Sequence, residues 1–460
     1  MADQDRSTHL TRRGFVGTAG TLVGGMAAAS VAASPPVAAA SALSPALAEP
    51  ASVGSGGQPT SLPTLARLAR EHGAGEPMMF VDLAAVERNA RTIVSFARAH
   101  GWSVRPALKV FQCPQLCAYI MRLLPQPRGL VFHLRTVDQI MTTAPAGTDL
   151  MMGYPPTPGE LEAYMTSRPP RGQRRHRLTL LASSINILEE MAQLARHTCR
   201  PVPLSIALEF DSGEGRGGFI HKPEISAAIK LLRREHRYLR LHGIVCYDGH
   251  ATADSALAWR KGVAKQASGY YRNYLAQLHD EGSDLYDVRT LIRNGPGSAN
   301  YRNWAGKPEI NEIRPGSAFV YAGYLRDGYD TQGLTPSLAQ AAPVLKDVGP
   351  YPSTDFTKIP IPPILGEEYF LKGSTWPDQA GIQPAFSYPA GVQDDNREGG
   401  RCMVWAPPGE LGTRDYVLCW PNQGGEGIDY FGALHAVRAG RVVDVWSTFT
   451  RWGSPPSTHS

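Results

Sequence analysis

Trp102-Ser103-Val104-Arg105-Pro106-Ala107-Leu108-Lys109 reads as a short strand that ends on a lone lysine, and a helix-like segment opened by Pro114 follows at once. In a barrel of alternating strands and helices, the C-terminal end of a strand points into the mouth where such barrels do their chemistry. A lysine held there, partly removed from water, can lose its proton and condense with an aldehyde. Taken by itself, the segment also fits a solvated loop lysine. The surrounding chain decides between the two.

Outward from Lys109, short apolar runs alternate with helical spacing from Met78 to about Asn294. Met78–Asp82 precedes a helical pattern from Val86 to His100, with Val86, Ala90, Ile93, Val94 and Ala97 on one stripe. Ser103–Lys109 precedes a helix from Pro114 to about Leu124, Gly129–His133 one from Thr136, and Asp149–Met152 one from Pro158. Leu178–Ala182 precedes a helix from Ile185 to His197, and Leu204–Phe210 one from Pro223 to about Arg234. Leu241–Cys246 precedes a long helix from Asp254, a candidate N-cap, to Leu278. Thr290–Asn294 completes a set of eight strands. Strict alternation implies a parallel sheet. Eight repeats in roughly 220 residues fit an α/β (β/α)8 TIM barrel over an open doubly wound sheet. After Pro315, prolines and glycines become dense and the long helical patterns stop. Short β-like runs recur at Arg401–Trp405, Tyr416–Trp420, His435–Val437 and Arg441–Trp446. The expected plan is a barrel over 62–319 and a smaller, mostly β domain over 320–460.

Residues 1–48 read as an export signal. Thr11-Arg12-Arg13-Gly14-Phe15-Val16 matches the twin-arginine pattern, and an apolar Gly/Ala-rich run follows from Phe15 to Val31. That run is shorter and less apolar than the roughly 20 residues of a membrane span. Small-residue cleavage signals stand at Ala46-Leu47-Ala48 and Val37-Ala38-Ala39. The bland alternative is a disordered Ala-rich tail that contains two arginines. Residues 49–61 are rich in Gly, Ser and Pro and read as a linker. Periplasmic or secreted localisation is the expectation, without stable membrane insertion once the signal is cleaved.

The formal charge of +5 is modest, and no basic cluster is interleaved with aromatics, which argues against nucleic-acid binding. Arg171, Arg174, Arg175 and Arg177 read as a solvated loop. Six cysteines over 460 residues do not make a disulfide scaffold. Cys113 and Cys117, four apart, lack the partners of a structural zinc site.

Several stretches, in order, resemble fold-type III pyridoxal-phosphate enzymes, whose barrel is of the alanine racemase type. The resemblance is to the branch of D-threonine aldolase and eukaryotic-type D-serine dehydratase. Phe80-Val81-Asp82-Leu83 with Glu87-Arg88-Asn89 matches that family's first strand and helix. Arg105-Pro106-Ala107-Leu108-Lys109-Val110-Phe111-Gln112-Cys113-Pro114 is similar to its cofactor-lysine motif, Arg-Pro-His-x-Lys-Thr-His-Lys-x-Pro. Glu209-Phe210-Asp211-Ser212-Gly213 with Arg216-Gly217-Gly218 resembles its sixth strand, and Gly243 to His250 its seventh. Asn294-Gly295-Pro296-Gly297-Ser298 stands where its glycine-rich phosphate loop lies. Glu312-Ile313-Arg314-Pro315-Gly316 matches the turn into its second domain, and His435 to Trp446 its closing hairpin. Each match is weak, but the ordered set is specific.

The resemblance implies that Lys109 carries pyridoxal 5'-phosphate and moves a proton once released from it. It implies that Gly295, Gly297 and Ser298 cradle the phosphate, since glycines let backbone N–H groups approach a dianion. Pro296 removes one donor, and a Gly-Pro-Gly sequence also fits a plain turn. Tyr247 is expected to contact the ring or phosphate, and His250 to act as an acid, a base or its orienter. Arg216 is expected to pair with a carboxylate or hold the ring; a surface ion pair fits equally. Tyr321 is expected to reach the site from the second domain, with apolar packing as the alternative. The family also implies a homodimer. The twin-arginine route carries folded proteins, which suits an enzyme that takes up its cofactor before export.

One departure concerns metal. Members of that branch carry Pro-Asn-His-x-Cys or Pro-Asn-His-x-Asp, whose His and Cys or Asp bind a divalent ion. Here the segment is Pro421-Asn422-Gln423-Gly424-Gly425, and glutamine and glycine are poor ligands. Gly409-Glu410-Leu411 is the nearest trace of the family's upstream Glu-His-Gly, and a rearranged site would have to draw on Glu426 and Asp429. No divalent metal is therefore expected. Val110-Phe111-Gln112 also makes the wall beyond Lys109 more apolar than the family's Thr-His-Lys. Three functions follow: an exported enzyme working at Cα of a small D-amino acid, as racemase or metal-independent lyase; a metal-dependent D-threonine aldolase or D-serine dehydratase with an altered site; and a non-catalytic barrel that binds the cofactor.

Overall fold

A computed structural model of the chain describes residues 57–166, 177–198, 202–253, 255–326, 331–349, 367–372, 379–383, 388–394, 401–407, 409–421, 425, 428 and 431–449. The export segment, Asp254, Asn422, Gln423, Gly424, Glu426 and Asp429 lie outside the described residues.

The strands in chain order are β1 Met78–Asp82, β2 Ser103–Val104, β3 Arg128–Val131, β4 Asp149–Met152, β5 Arg177–Ala182, β6 Leu204–Phe210, β7 Leu239–Cys246, β8 Ile292–Asn294 and β9 Glu312–Ile313. A second series follows: β10 Leu338–Gly349, β11 Glu367–Lys372, β12 Gln379–Gln383, β13 Tyr388–Asp394, β14 Arg401–Ala406, β15 Tyr416–Pro421, β16 Ala433–Arg438 and β17 Arg441–Ser447. Strands β2 to β9 form a parallel eight-stranded sheet in the order β2-β9-β8-β7-β6-β5-β4-β3. The ring closes just beyond β2, where Ala107 bridges Leu130 of β3 and the Leu130 amide donates to the Pro106 carbonyl at 2.8 Å. Amphipathic helices wrap it and turn their apolar stripes inward. In Leu83–Ala99 the stripe Val86, Ala90, Ile93 and Ala97 is buried. Asp82 caps that helix, its side chain accepting from the Ala85 amide at 2.8 Å.

The alternation is as expected, with one exchange. Met78–Asp82 is not a barrel strand. It pairs antiparallel with β10 and parallel with β16, inside the nine-stranded second sheet. The eighth place in the barrel is taken by Glu312–Ile313, between β2 and β8. All five residues of β1 are buried, so its sequence carries no alternation that would tell one sheet from the other. The opening helix Leu62–His72 goes with it: Leu65, Leu68 and Ala69 pack on Met78, Phe80, Ala341 and Leu418 of the second sheet. The long helix starts at Leu257, with Ala256 at the N-cap and no side-chain cap.

The barrel's interior near the strand beginnings holds a buried ion network rather than an apolar layer. Arg105 Nε donates to Glu312 Oε1 at 2.7 Å and its Nη1 to the Asp149 carbonyl at 2.7 Å. Arg128 Nη1 reaches Glu312 Oε2 at 2.6 Å, and Asn294 Nδ2 donates to Glu312 Oε1 at 2.9 Å. Burial opposes ionisation of Glu312, but Arg105 and Arg128 outweigh it and hold the carboxyl below its ordinary range.

Candidate active site

Lys109 occupies a single 3-10 turn, Leu108–Val110, directly after the seam residues Pro106 and Ala107. The regular strand before it is only Ser103–Val104, shorter than the Ser103–Lys109 run expected, because the chain turns at the barrel rim. Behind the lysine, Gln112 adopts a left-handed φ of +42°, uncommon for a residue with a Cβ. That turn is clamped from two sides. Gln112 Nε2 donates to the Lys109 carbonyl at 2.9 Å, and the Phe449 amide donates to the Gln112 carbonyl at 2.9 Å. The Lys109 side chain is solvent-exposed, not desolvated as expected, and its Nζ lies over the rings of Phe132 at 4.7 Å and Tyr154 at 5.8 Å.

Lys109 lines a cavity of about 660 Å³ with Arg216, Tyr247, Gly297, Ser298, Arg314 and Tyr324. The loop after β8 forms one wall. Gly297 gives its carbonyl to the amides of Asn300 at 3.3 Å and Tyr301 at 3.1 Å. The amide N–H groups of Gly297, Ser298 and Ala299 find no acceptor among the described residues, so three consecutive donors are open. A Cβ on Gly297 would come 3.0 Å from the Tyr247 ring, which is why this position must stay small. Ser298 Oγ accepts from the amides of Gly316 at 2.9 Å and Ala318 at 3.1 Å, leaving its own O–H free to donate. Gly295 is not on the wall. Its amide donates to the Glu312 carbonyl at 3.0 Å, and a Cβ there would strike Ile310 at 2.8 Å, so it serves packing.

Charge is concentrated on the same wall. The Tyr247 ring carries the guanidinium of Arg314 at 4.2 Å and of Arg216 at 5.1 Å. Burial pushes the Tyr247 hydroxyl up to about 12. Arg314 is buried, and neither its Nε nor its Nη2 has a partner. Burial lowers its pKa, opposed by Tyr247 and Glu209. Burial likewise raises Glu209, opposed by Arg314 and Arg216. Asp248, also on the wall, accepts from Asn300 Nδ2 at 2.7 Å and Trp304 Nε1 at 2.8 Å.

Two expected residues are elsewhere. Gly249 and Ala251 line the cavity, but His250 between them does not; both its ring nitrogens are buried without a hydrogen bond. Tyr321 takes a left-handed φ of +46° at the end of the helix Ser317–Val320, which turns its ring away to pack 5.1 Å from Trp420. Its hydroxyl lies 3.3 Å from Thr331 Oγ1. Tyr324, one turn later, lines the cavity instead, with its hydroxyl bonded to Ser317. Arg314, Glu209, Phe132 and Tyr324 are therefore site residues without an assigned role in the sequence. The readable signal was a charge where its neighbours are apolar: Arg314 after Ile313, Glu209 between Leu208 and Phe210.

A primary amine, three open amides, a serine O–H and an unpaired buried cation facing one cavity fit an anionic aldehyde cofactor that carries a phosphate. Among the described residues no group of three His, Cys, Asp or Glu side chains is placed to hold a metal ion. Also among them, no helix is long and apolar enough to cross a membrane.

A sequence model of the alanine racemase N-terminal domain matches residues 81–323. No curated protein matches the chain. Solved structures share the fold. D-threonine aldolase from Filomicrobium marinum is 17% identical with a TM-score of 0.63, the alignment covering 81% of this chain and 94% of that one. D-threo-3-hydroxyaspartate dehydratase from Delftia sp. is 16% identical with a TM-score of 0.64, covering 82% and 98%. Alanine racemase from Bacillus anthracis is 16% identical with a TM-score of 0.58, covering 81% and 97%.

Proposed function

The chain belongs to the alanine racemase N-terminal domain family, and from that membership we propose that it is an exported pyridoxal-phosphate enzyme. It works at Cα of a small D-amino acid, as a racemase or as a lyase that needs no metal. The observation that carries this reading is that Lys109 lines one cavity with the open amides of Gly297, Ser298 and Ala299 and the unpaired cation of Arg314.

When bound, the cofactor supplies an electron sink for charge developing at Cα. Lys109 Nζ would hold it and is the amine that would take or return a proton at Cα. The loop amides and the Ser298 O–H would hold the phosphate, and Gly297 keeps that approach free of a side chain. Arg314 fixes a cation on the cavity floor. Arg216, stacked on Tyr154 at 5.0 Å and Tyr247 at 5.1 Å, is held in position to pair with the substrate carboxylate. Burial raises the Tyr324 pKa, opposed by its hydrogen bond with Ser317, so the hydroxyl stays protonated on the cavity wall. Phe132 and Tyr154 flank the exposed Lys109 amine and orient it by cation–π contact.

Export is supported by Arg12-Arg13-Gly14-Phe15 and the apolar run after it. Metal independence is supported by Gln423 and Gly425 standing where members of the resembled branch carry ligands. The test is a titration of purified protein with a panel of D- and L-amino acids, following the cofactor band at about 410–430 nm. A D-amino acid should perturb the band, and a chelator should leave turnover unchanged. A panel without any response would favour a non-catalytic barrel; loss of turnover on chelation would favour a metal-dependent lyase.

A further inference from the structure

A second cavity, about 1380 Å³, opens at the end of the barrel where the strands begin, opposite the Lys109 mouth. Its wall includes opening residues of successive strands: Arg128 of β3, Asp149 of β4, Arg177 of β5, Ser205 of β6, and Arg240 with His242 of β7. Arg98 reaches it from the helix Leu83–Ala99. Arg240 and His242 share a strand face because they are two residues apart, and Ser205 is registered beside Arg240 on the neighbouring strand.

The charge balance is uneven. Arg128 is neutralised by Glu312 at 2.6 Å, and the lining acids Asp149, Asp284 and Asp287 are already paired with Arg105, Arg233 and Arg289. Arg98, Arg177 and Arg240 have no hydrogen-bonded or ion-paired partner among the described residues. His242 is held below its ordinary pKa by burial, then by Arg177, with Arg105 and Arg240 adding and Asp149 opposing, so it is neutral at pH 7 and free to donate or accept. Like charges on one concave wall repel one another and focus a positive potential into the cavity. A bound anion relieves that repulsion. Guanidinium forks match phosphate oxygens in pairs.

We infer that this basal cavity binds a small multivalent oxyanion of the phosphate class, gripped by Arg98, Arg177 and Arg240 with Ser205 as a hydroxyl donor. The concave wall fits a small ion rather than an extended polymer. The site lies at the end of the barrel that carries stability rather than catalysis. Its ligand therefore raises thermal stability without entering the reaction.

Tripolyphosphate is the probe. Calorimetric titration into the cofactor-loaded protein should show saturable binding with a rise in melting temperature, and the same affinity in Lys109→Ala protein. The double variant Arg177→Gln/Arg240→Gln should bind at least about tenfold more weakly, while the 410–430 nm spectrum (the approximate cofactor range) stays unchanged. Should the double variant fail to fold, either single variant should still show a severalfold loss. Unchanged affinity in the folded variants, no saturable binding to the wild type, or sulfate binding as tightly as tripolyphosphate would each overturn the proposal.

Discussion

Gly425 lies directly against Lys109: a Cβ added to Gly425 would stand 3.0 Å from the Lys109 carbonyl oxygen and 3.5 Å from the Val110 Cα. Both are backbone atoms, so neither can rotate out of the way. In the resembled branch this position carries a metal-ligating side chain; here it lets the C-terminal part of the chain brace the lysine turn. The Phe449 amide, bonded to the Gln112 carbonyl at 2.9 Å, braces the other side.

Gly425→Ala should therefore displace the lysine turn by a few tenths of an ångström. We expect about 1–3 kcal/mol of overpacking cost and a reduced cofactor band at equal protein concentration. Melting temperature and absorbance measured together check this. No change in either would show that the contact is slack.

Arg314→Leu should act in opposite directions on the two forms of the protein. Arg314 is buried with two nitrogens unpartnered, so an apolar side chain should stabilise the cofactor-free protein by about 1–4 kcal/mol. Cofactor affinity should fall by about 1.5–3 kcal/mol, the value of a hydrogen bond to a charged group. Thermal melts with and without cofactor separate the two effects; a fall in both would contradict an unsatisfied cation.

Glu312→Gln should unfold the barrel's base more readily. Glu312 is fully buried between Arg105 at 2.7 Å and Arg128 at 2.6 Å. Removing its charge leaves buried Arg105 undercompensated, at a cost of about 3–5 kcal/mol. The pH dependence follows from the depressed carboxyl. Its stabilisation is fully present above the unfolded value of about 4.3 and is lost as pH falls through the lower folded value. The variant should thus lose stability at neutral pH and show a flatter acid limb in denaturant melts. Parallel acid limbs would mean that Glu312 does not set the dependence.

The barrel was legible because parallel strands buried on both faces leave short apolar runs, such as Ile206–Leu208 within β6 and Leu150–Met152 within β4. The same property hid the exchange at the seam. Met78–Asp82 is as apolar as a barrel strand but belongs to the second sheet, while Glu312–Ile313 is two residues long and begins with a buried acid. At the site, Lys109, Tyr247, Arg216, Gly297 and Ser298 were expected through the family resemblance, and all five line the cavity. Tyr321 and Tyr324 were not separable. The left-handed turn at Tyr321, φ +46°, decides which ring faces inward, and nothing in Val320-Tyr321-Ala322 announces it. The placement of His250 was equally hard to read: Gly249 and Ala251 take the cavity wall and His250 between them does not line it. Arg314 was visible only as part of a turn motif, because burial of a lone cation is a tertiary property.

The most direct measurement is the absorbance spectrum of the protein purified with pyridoxal phosphate present, compared with Lys109→Ala prepared identically. The wild type should carry a band at about 410–430 nm that borohydride reduction fixes covalently to the peptide containing Lys109, and Lys109→Ala should lack both band and label. A wild type without the band, or a variant that keeps it, would contradict the assignment of Lys109 as the residue that holds the cofactor.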